Sequence, residues 1–400
     1  MEAIHPNQEL FNEISEICRG SPTSELSRRF CADDYLARLR PHLTSFGITR
    51  LADVTGLDRV GIPVVQAVRP LARSNAVNQG KGLTLAEAAV SATIEAVETY
   101  ACETPEQIGD RASPNDVYGH AAAHNLSCHL ASKASDEWAQ EPIAFLRGIE
   151  PISQDIVSVP AALVSTDYTP SSIHALSPFI RSTTGLGGGA SLEEAIQHGF
   201  LEVLERISTD QAMTTHGFFE KNRIVPETSA DRCTARLISQ VKDAGLLFAA
   251  FECSPVGRFP VVWVKLLDER ASATSLPFAA DGFACRPTLS AALRAALLES
   301  IQTRASVISG AREDITRSSY PRNPDDQLIA FERRQMGKRS GQHASFVGKN
   351  SPVRMKDFAE ALAEAGLTAA IVPVLALKDV PLFIVRIVPL VGRVGRHDAD

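Results

Sequence analysis

The 400-residue sequence contains few cysteines, and they do not form the patterns that metal or disulfide frameworks require. The seven cysteines are scattered, their number is odd, and no CxxC pair occurs. A zinc site built from paired cysteines and a disulfide-stapled fold are therefore not expected. Such a chain suits a reducing compartment, and we expect the protein to be cytoplasmic.

Long apolar runs and an excess of positive charge are also absent. No run of about 18 apolar residues is present, so no membrane-spanning helix is predicted. The N-terminus, MEAIHPNQEL, lacks the basic start and apolar core of a secretion signal. The formal net charge of −7 does not attract nucleic acid by bulk electrostatics. We expect neither a membrane nor a nucleic acid as partner.

Helical and strand patterns are mixed along the chain, which predicts an α+β (mixed α/β) fold. A helix is expected to end at Gly47, a strand to cover 157–165, and a polar surface excursion to cover 313–352. No clean linker is visible. We expect residues 1–70 to form a helical and strand segment that is integrated with a core of residues 71–400.

Three predicted helices share one sequence pattern, which is the most informative feature of the chain. Each begins with Thr or Ser followed by Leu, carries a glutamate at the same place, and has Glu or Gln three residues later. The three copies are Thr84 to Glu98, Ser191 to Glu205, and Thr288 to Gln302. An internal repeat of this kind indicates that one helix-on-sheet unit recurs in the fold.

The starts of the first two repeated helices carry recognisable N-terminal signals. Thr84 with Glu87, and Ser191 with Glu194, form predicted capping boxes. The glycine-rich segments NQGKGLT and STTGLGGGAS lead into these helices. Helix N-termini favour anions, so the segments suit a phosphate, although a flexible turn explains them equally well. A GxxxxGK[ST] loop is absent, so any nucleotide site is of another type.

The repeated helices also carry acidic residues on one face. The i, i+4, i+7 spacing places Ser91, Glu95 and Glu98 together, and likewise His198, Glu202 and Glu205. A solvated acidic face is the alternative interpretation. These helices are otherwise apolar, however, and buried carboxylates are costly unless they are paired or bind a metal. Glutamates of several helices suit Mg²⁺ with phosphates as its other ligands. Nearby candidates for phosphate contacts are Arg206, Arg294 and Arg304.

These motifs resemble the YcaO family, which has SxxxExxER, a second ExxER helix after a glycine-rich turn, and ExxQ. The corresponding residues are Ser91 to Thr99, Glu194 to Arg206, and Glu299 to Gln302. The sequence departs from the family pattern at Thr99, where the first motif has Arg, and at Ala190 and Thr184, where Asn is common. The resemblance extends over roughly residues 45 to 390, so the core of residues 71–400 is expected to be the catalytic domain.

The resemblance implies ATP- and Mg²⁺-dependent activation of a peptide backbone amide, in which the amide oxygen is phosphorylated and a nucleophile then adds at the carbon. Because they match the metal-binding positions of the family motifs, Glu95, Glu98, Glu202 and Glu205 are expected to bind Mg²⁺ ions. The residues expected to contact nucleotide or to orient those that do are Lys81, Ser91, Glu194, His198, Arg206, Arg294, Glu299 and Gln302. No catalytic residue is assigned.

The branch of the family is inferred from what the chain lacks. Azoline-forming members often end in PxPxP, whereas this chain ends in VGRVGRHDAD, and no fused leader-binding domain is expected before the first motif. The form resembles the TfuA-associated branch, which implies a TfuA-like partner and thioamide formation on a peptide or protein. Azoline formation and an ATP-binding accessory role without turnover remain alternatives. The resemblance also implies a homodimer.

A histidine-rich segment lies outside these motifs. His120, His124 and His129 follow one another at near-helical spacing and lie close to Cys128. A metal site there is conceivable, but solvated or capping histidines explain the pattern better. The segment is not assigned to the site.

Overall fold

The structure is a computed structural model, and its description covers most of the chain. The described residues are 8–20, 30–103, 111–119, 126–131, 134, 137–172, 174, 177–225, 230–254, 259–269, 279–313, 315, 326–337, 353–377 and 379–391. The strands are β1 (Arg50–Asp53), β2 (Val64–Val68), β3 (Val77–Lys81), β4 (Arg111–Ala112), β5 (Ile143–Ile149), β6 (Ile156–Pro160), β7 (Leu186–Gly189), β8 (Leu246–Glu252), β9 (Val261–Asp268), β10 (Ala279–Cys285), β11 (Leu367–Ala376) and β12 (Phe383–Val391).

The helices are interspersed with these strands along the chain. They are α1 (Gln8–Arg19), α2 (Ala32–Leu39), α3 (Leu85–Glu103), α4 (Pro114–Tyr118), α5 (Leu192–Thr214), α6 (Phe218–Lys221), α7 (Arg232–Asp243), α8 (Leu289–Ser309), α9 (Asp326–Gly337) and α10 (Met355–Glu364). This mixture of helix and sheet confirms the predicted α+β class. Among the described helices, none combines the length and the apolar character needed to cross a membrane.

The chain divides into two compact units, and two of the four boundaries between them fall inside α3 and α5. Unit 1 comprises the described parts of Met1–Arg29, Val97–Val203 and Pro352–Asp400, and unit 2 those of Phe30–Ala96 and Leu204–Ser351. The expected division into residues 1–70 and 71–400 stays a prediction.

Unit 1 is built on one antiparallel sheet with the order β4-β5-β11-β12-β7, and β6 pairs with β5. Its core contains buried apolar residues from several of these strands, among them Leu146, Val159 and Val388. Helix α5 is anchored there because Phe200 stacks on Phe358 of α10, with ring centroids 5.8 Å apart.

Unit 2 contains two three-stranded antiparallel sheets, β1-β2-β3 and β10-β9-β8. Helix α8 is apolar on most of its surface and packs with both α7 and the β8–β10 sheet. Its buried residues Leu293, Ala296 and Leu297 join Ile238 of α7 and Val264 of β9 in one core. The same helix reaches the other sheet, where its Ser309 accepts a hydrogen bond of 2.9 Å from Gln66 on β2.

The internal repeat is a strand followed by a helix, in which a glycine of the strand contacts the backbone of the helix. A Cβ atom on Gly80 of β3 would lie 2.0 Å from the backbone nitrogen of Ala92 on α3. In the second and third copies, a Cβ on Gly187 of β7 would lie 2.7 Å from Gly199 N of α5, and one on Gly282 of β10 would lie 2.2 Å from Ala296 O of α8. Only glycine permits such close backbone approach.

The contacts are equivalent in all three copies. Ala92, Gly199 and Ala296 each lie three residues before the shared glutamate of their helix. The three glycine-bearing strands β3, β7 and β10 also each lie at an edge of their sheet as described. The predicted repeat of a helix-on-sheet unit is therefore confirmed.

Several local predictions need correction. The strand predicted for 157–165 ends at Pro160, and a 3-10 helix follows at Ala161–Leu163, because proline cannot donate to the next rung of a ladder. The helix expected to end at Gly47 does so, with a φ of 72° at that glycine, but its last turns after α2 are 3-10.

The predicted polar excursion at 313–352 contains helix α9, which the sequence patterns did not indicate. The helix is fixed by buried Ile329 and Met336 and by an ion pair of 3.1 Å between Lys265 Nζ and Glu332 Oε2. Residues 314, 316–325 and 338–352 of the excursion lie outside the described residues.

The glycine contact of the third copy predicts a strong effect of a single methyl group. Gly282→Ala is expected to lower the urea midpoint of unfolding or to prevent folding, because the Cβ would meet Ser300 N at 2.3 Å, a backbone atom that cannot move independently. Overpacking a core costs about 1–3 kcal/mol even when side chains can adjust. The control is Gly56→Ala, since a Cβ there has no neighbour within 4 Å. Equal midpoints for the two variants would show that the fold does not require the close contact at Gly282.

Candidate functional site

The first two repeated helices begin at the predicted caps, but each capping glutamate accepts from the residue before the cap and not from the cap itself. Thr84 Oγ1 accepts from Glu87 N at 3.2 Å, and Glu87 Oε2 accepts from Leu83 N at 2.7 Å. Ser191 Oγ accepts from Glu194 N at 3.2 Å. The caps hold the glutamate faces at defined distances from the glycine-rich turns.

Glu194, predicted to contact or orient the nucleotide, has a capping role in the structure. Its Oε2 accepts from the backbone nitrogen of Ala190 at 2.9 Å, at the end of the glycine-rich strand β7. The contact satisfies a donor at the helix start. Ala190 occupies the position where the family commonly has Asn, and its own N–H is thereby committed to Glu194.

In unit 2 the structure brings Lys81, Glu95 and Glu299 together from β3, α3 and α8. Lys81 Nζ lies 3.2 Å from Glu299 Oε2, and both side chains are about three-quarters buried, with exposed fractions of 23% and 26%. Glu95 is close enough to both groups to interact with them electrostatically, and Arg312 Nη1 lies 4.0 Å from Glu95 Oε1. Ser91 is half-buried on α3, at the contact with Gly80.

The electrostatic environment of Glu95 disfavours its charged form. Burial raises the pKa of the Glu95 carboxyl above its ordinary value. The Arg312 and Lys81 cations and a hydrogen bond with Asn78 act in the opposite direction, but the net shift is upward. A divalent cation at this carboxylate would remove the cost, because metal binding requires and stabilises the deprotonated form.

Three buried amide oxygens of unit 2 lack hydrogen-bond donors among the described residues, one of them on α9 and two on the elements that carry Lys81 and Glu299. Asn78 Oδ1 on β3 and Gln302 Oε1 on α8 are both buried and unpartnered. Gln302 follows Glu299 by one helical turn and lies on the same face of α8. Unsatisfied buried acceptors are costly, and a ligand hydroxyl, amine or cation would satisfy them. Oxygen-only donors beside carboxylates fit Mg²⁺.

Glu205 and Arg206, on the part of α5 that belongs to unit 2, differ in exposure. Glu205 is buried, with 6% of its surface exposed. The Arg206 side chain is 46% exposed, and its Nε lies 3.8 Å from Glu205 Oε1. An arginine with this exposure can reach a phosphate oxygen.

The other two predicted phosphate contacts are engaged in ion pairs. Arg294 Nη1 lies 2.8 Å from Asp231 Oδ2. Burial raises the pKa of Asp231, but hydrogen bonds from Thr234 and Ser290, together with Arg294, lower it overall to about 2.

Arg304 is buried and donates through Nε and Nη2 to the two carboxylate oxygens of Asp58, at 2.9 and 3.0 Å. The expectation that Arg304 binds phosphate is corrected, because its planar fork is already matched to a carboxylate.

In unit 1 the structure brings His198 next to Glu98. His198 Nδ1 lies 3.8 Å from Glu98 Oε1, and the histidine is 46% exposed while the Glu98 side chain is 9% exposed. Glu202 is half-buried, and its Oε2 accepts from Gly185 N at 3.1 Å. Glu98 thus lies beside an imidazole, and Glu202 beside a backbone N–H group.

Arg386 on β12 of unit 1 was not among the residues predicted from the sequence. Its exposed fraction is only 4%, and it interacts electrostatically with Glu202 and Glu98. A signal was present, since one arginine interrupts the apolar run PLFIVRIVP. Such an isolated charge in a buried strand is an expected marker of a polar site.

The described residues contain no cluster of three His, Cys, Asp or Glu side chains ready to hold a metal ion. Mg²⁺ typically binds one or two carboxylates and takes water and phosphate oxygens for the rest. Each unit contains such carboxylates, Glu98 and Glu202 in unit 1 and Glu95 and Glu205 in unit 2, so the residues of each unit fit a metal that arrives with a nucleotide.

The histidine-rich segment does not join these residues. His129 Nε2 lies 2.5 Å from the carbonyl oxygen of Pro389, and burial lowers the pKa of its imidazole. Cys128 Sγ is 3.9 Å from the same oxygen. His120 and His124 lie outside the described residues.

Comparison with known proteins identifies the family to which this fold and these motifs belong. A family model described as YcaO cyclodehydratase, ATP- and Mg²⁺-binding, matches residues 79–388. The match covers more than half of the chain, and the chain belongs to the YcaO family, whose members are ATP-dependent enzymes. The resemblance seen in the motifs and the expected cofactors, ATP and Mg²⁺, are confirmed at this level.

Two sequence relatives have similar identity. An uncharacterised protein of the tfuA 3′ region of Rhizobium leguminosarum bv. trifolii is 31% identical over 72% of this chain and 68% of its own. An uncharacterised protein of Methanothermobacter thermautotrophicus is 32% identical over 70% of this chain and 71% of its own.

Three solved structures share the fold. The YcaO protein of Methanopyrus kandleri bound with AMPPCP and Mg²⁺ has a TM-score of 0.67 at 22% identity and 90% coverage of both chains. A heterocyclase in complex with substrate and cofactor has a TM-score of 0.71 at 18% identity, covering 94% of this chain and 55% of that one. The Escherichia coli microcin synthetase McbBCD complex with pro-MccB17 bound has 0.64 at 16%, covering 84% and 86%.

The raised pKa of Glu95 predicts a stability effect in the absence of ligands. Glu95→Gln is expected to raise the thermal unfolding midpoint at neutral pH, because it removes a carboxylate whose charge is disfavoured in the folded state. As the pH falls through the raised pKa, the wild-type carboxyl takes up a proton and the gap closes. Scanning calorimetry without Mg²⁺ or nucleotide measures the unfolding midpoints of both proteins at neutral pH and at acidic pH.

The control for this experiment is Glu16→Gln, a change at an exposed glutamate of α1. A Glu95→Gln variant less stable than wild type at neutral pH, or a gap that does not change with pH, would contradict the predicted environment of Glu95.

Proposed function

We propose that this protein uses ATP and Mg²⁺ to activate a peptide backbone amide by phosphorylating its oxygen, and that a sulfide donor then converts the amide to a thioamide. The observation that carries the proposal is the set of repeated carboxylate faces, with the unsatisfied amide oxygens of Asn78 and Gln302 beside one of them. The nucleotide analogue and Mg²⁺ in the Methanopyrus kandleri structure support it.

The Mg²⁺ ligands in this proposal are Glu95 and Glu98 of α3 and Glu202 and Glu205 of α5. Glu98 and Glu205 are buried at 7% and 6% exposure. Such carboxylates are costly to keep without a metal or a cation. This cost gives them a physical reason to bind Mg²⁺ rather than to serve as a solvated face.

The proposed nucleotide residues act by three kinds of contact. Lys81 and Arg206 supply positive charge for phosphate oxygens, and Gln302 supplies an acceptor for a hydroxyl or amine. Glu299 holds Lys81 in place, as their 3.2 Å contact indicates. The remaining members of the set orient these groups or the metal ligands: Ser91, Glu194, His198 and Arg294.

ATP supplies the group that turns the amide oxygen into a phosphate leaving group, which is why the reaction needs it. The chain's own residues bind and orient the nucleotide and offset negative charge that develops at the transferred phosphoryl group. Sulfide then adds to the former carbonyl carbon, the carbon–oxygen bond breaks, and inorganic phosphate leaves. An internal Cys, Ser or Thr side chain in place of sulfide would give an azoline instead.

The thioamide branch is favoured by the relative in the tfuA 3′ region of Rhizobium leguminosarum bv. trifolii. We propose a TfuA-like partner on the same ground. A peptide substrate is supported by the microcin synthetase structure with pro-MccB17 bound. A homodimeric state and a cytoplasmic location stay predictions from the sequence.

Removing one buried carboxylate tests the metal and nucleotide assignment. Glu205→Gln and Glu202→Ala are each expected to abolish the Mg²⁺-dependent binding of AMPPCP, because each removes a proposed Mg²⁺ ligand. Isothermal titration with and without Mg²⁺ measures the binding, and circular dichroism checks the fold.

The matched control is Glu193→Gln on the first turn of the same helix, where the carboxylate accepts from Gln197 Nε2 at 3.3 Å. It should bind as wild type does. Undiminished Mg²⁺-dependent binding by a folded Glu205→Gln variant would refute the assignment.

The product distinguishes the two amide chemistries. The purified protein is incubated with a library of random-sequence peptides, ATP, Mg²⁺ and sodium sulfide, with and without a TfuA-like protein. Mass spectrometry is expected to show exchange of oxygen for sulfur that depends on ATP and is lost in Glu205→Gln. Loss of water without sulfur uptake would instead support azoline formation and reject the thioamide proposal.

A further inference from the structure

Arg386 is a buried cation in the middle of a buried strand. It is 4% exposed, and its strand β12 is paired on both sides, with Val372 of β11 and Leu186 of β7 opposite it. Its backbone is therefore committed to the sheet. A guanidinium in such a place loses its hydration, which is costly unless acceptors or opposite charges replace the water.

Most of the Arg386 donors remain unused. Nη2 donates to the carbonyl oxygen of Ser182 at 2.8 Å. In the described part of the chain, Nε and Nη1 are buried and have no acceptor. The neighbouring thiol offers no charge, because burial raises the pKa of Cys102 to about 12. The anionic groups that interact with the guanidinium are Glu202 and Glu98.

A short turn connects Arg386 to Glu202. Ser182 at the start of the turn accepts from Arg386, and Gly185 at its end donates to Glu202 Oε2 at 3.1 Å. The carbonyl oxygen of Gly185 in turn accepts from Ile387 N at 2.8 Å. Both ends of the turn are thus tied to β12. Gly185 has a φ of 85°, and a Cβ there would lie 2.1 Å from Ile387 O.

We propose that Arg386 is a positioning residue for the metal-binding carboxylates of unit 1. Its guanidinium fixes the 182–185 turn, which orients Glu202, and its buried positive charge offsets the negative charge of Glu202 and Glu98. The inference rests on the proposed Mg²⁺ role of these two glutamates. Carboxylates that bind metals are themselves hydrogen-bonded, and removal of such a partner typically weakens metal affinity.

The proposal is tested by the Mg²⁺ concentration that gives half-maximal binding of AMPPCP, followed as the ligand-induced rise in thermal midpoint. Arg386→Gln is expected to raise this concentration about 10–100-fold, the usual cost of losing an outer partner of a metal ligand. Arg386→Lys, which keeps the charge but loses the planar pair of donors, should give a smaller increase. AMPPCP affinity at saturating Mg²⁺ should stay close to that of wild type.

Arg304→Lys is the matched control for loss of a buried arginine. Arg304 is 2% exposed, and its donors are matched to Asp58 of unit 2. This variant should lower the thermal midpoint of the ligand-free protein without changing the Mg²⁺ requirement. A purely structural role for Arg386 would give the same result for both arginines and would overturn the proposal.

The remaining outcomes are also decisive. An unchanged Mg²⁺ requirement in folded Arg386→Gln refutes the inference, and if that variant does not fold, an unchanged requirement in Arg386→Lys refutes it. Weaker AMPPCP binding at saturating Mg²⁺ alone would show contact with the nucleotide and would also refute it. If Glu202→Ala keeps Mg²⁺-dependent binding, the proposed function itself fails. If Glu202→Ala loses that binding while the Arg386 variants keep it, only the inference fails.

Discussion

The close approach of a strand glycine to a helix backbone is the constraint on which the candidate site depends. At Gly80, Gly187 and Gly282 the contact includes the helix residue three positions before a predicted site glutamate. A helix in backbone contact with a strand cannot rotate about its axis without a clash. The contact therefore fixes the direction in which each glutamate projects from its helix. The caps at Thr84 and Ser191 fix where the first two helices begin.

The same carboxylates impose an electrostatic cost on the unliganded protein. In unit 2, the Lys81 and Arg312 cations offset part of the charge of Glu299 and Glu95. In unit 1, Arg386 has this role beside Glu98 and Glu202. Buried charge that is only partly compensated is typical of functional sites, where local stability is lower than packing alone would allow. A Mg²⁺-nucleotide complex would supply the missing positive charge.

Local sequence signals predicted the α+β class, the repeated helices and their caps, because periodicity and capping depend on residues a few positions apart. Long-range pairs were beyond those signals. Arg304 pairs with Asp58 across a separation of 246 residues, and Arg386 with Ser182 across 204. The helix α9 was missed since its buried positions Ile329 and Met336 are sparse within a polar segment. The metal- and nucleotide-binding roles predicted from the motifs can be tested only with the ligands bound.

The most direct test of the proposed metal site is the position of the metal in a crystal of the protein grown with AMPPCP and Mn²⁺ in place of Mg²⁺. Anomalous scattering locates Mn²⁺ without reference to the expected ligands. We expect peaks in coordination contact with carboxylate oxygens of Glu95, Glu98, Glu202 and Glu205, adjacent to the phosphates of the analogue. Ordered nucleotide with no Mn²⁺ at these glutamates, or with Mn²⁺ held by other residues, would contradict the proposed site.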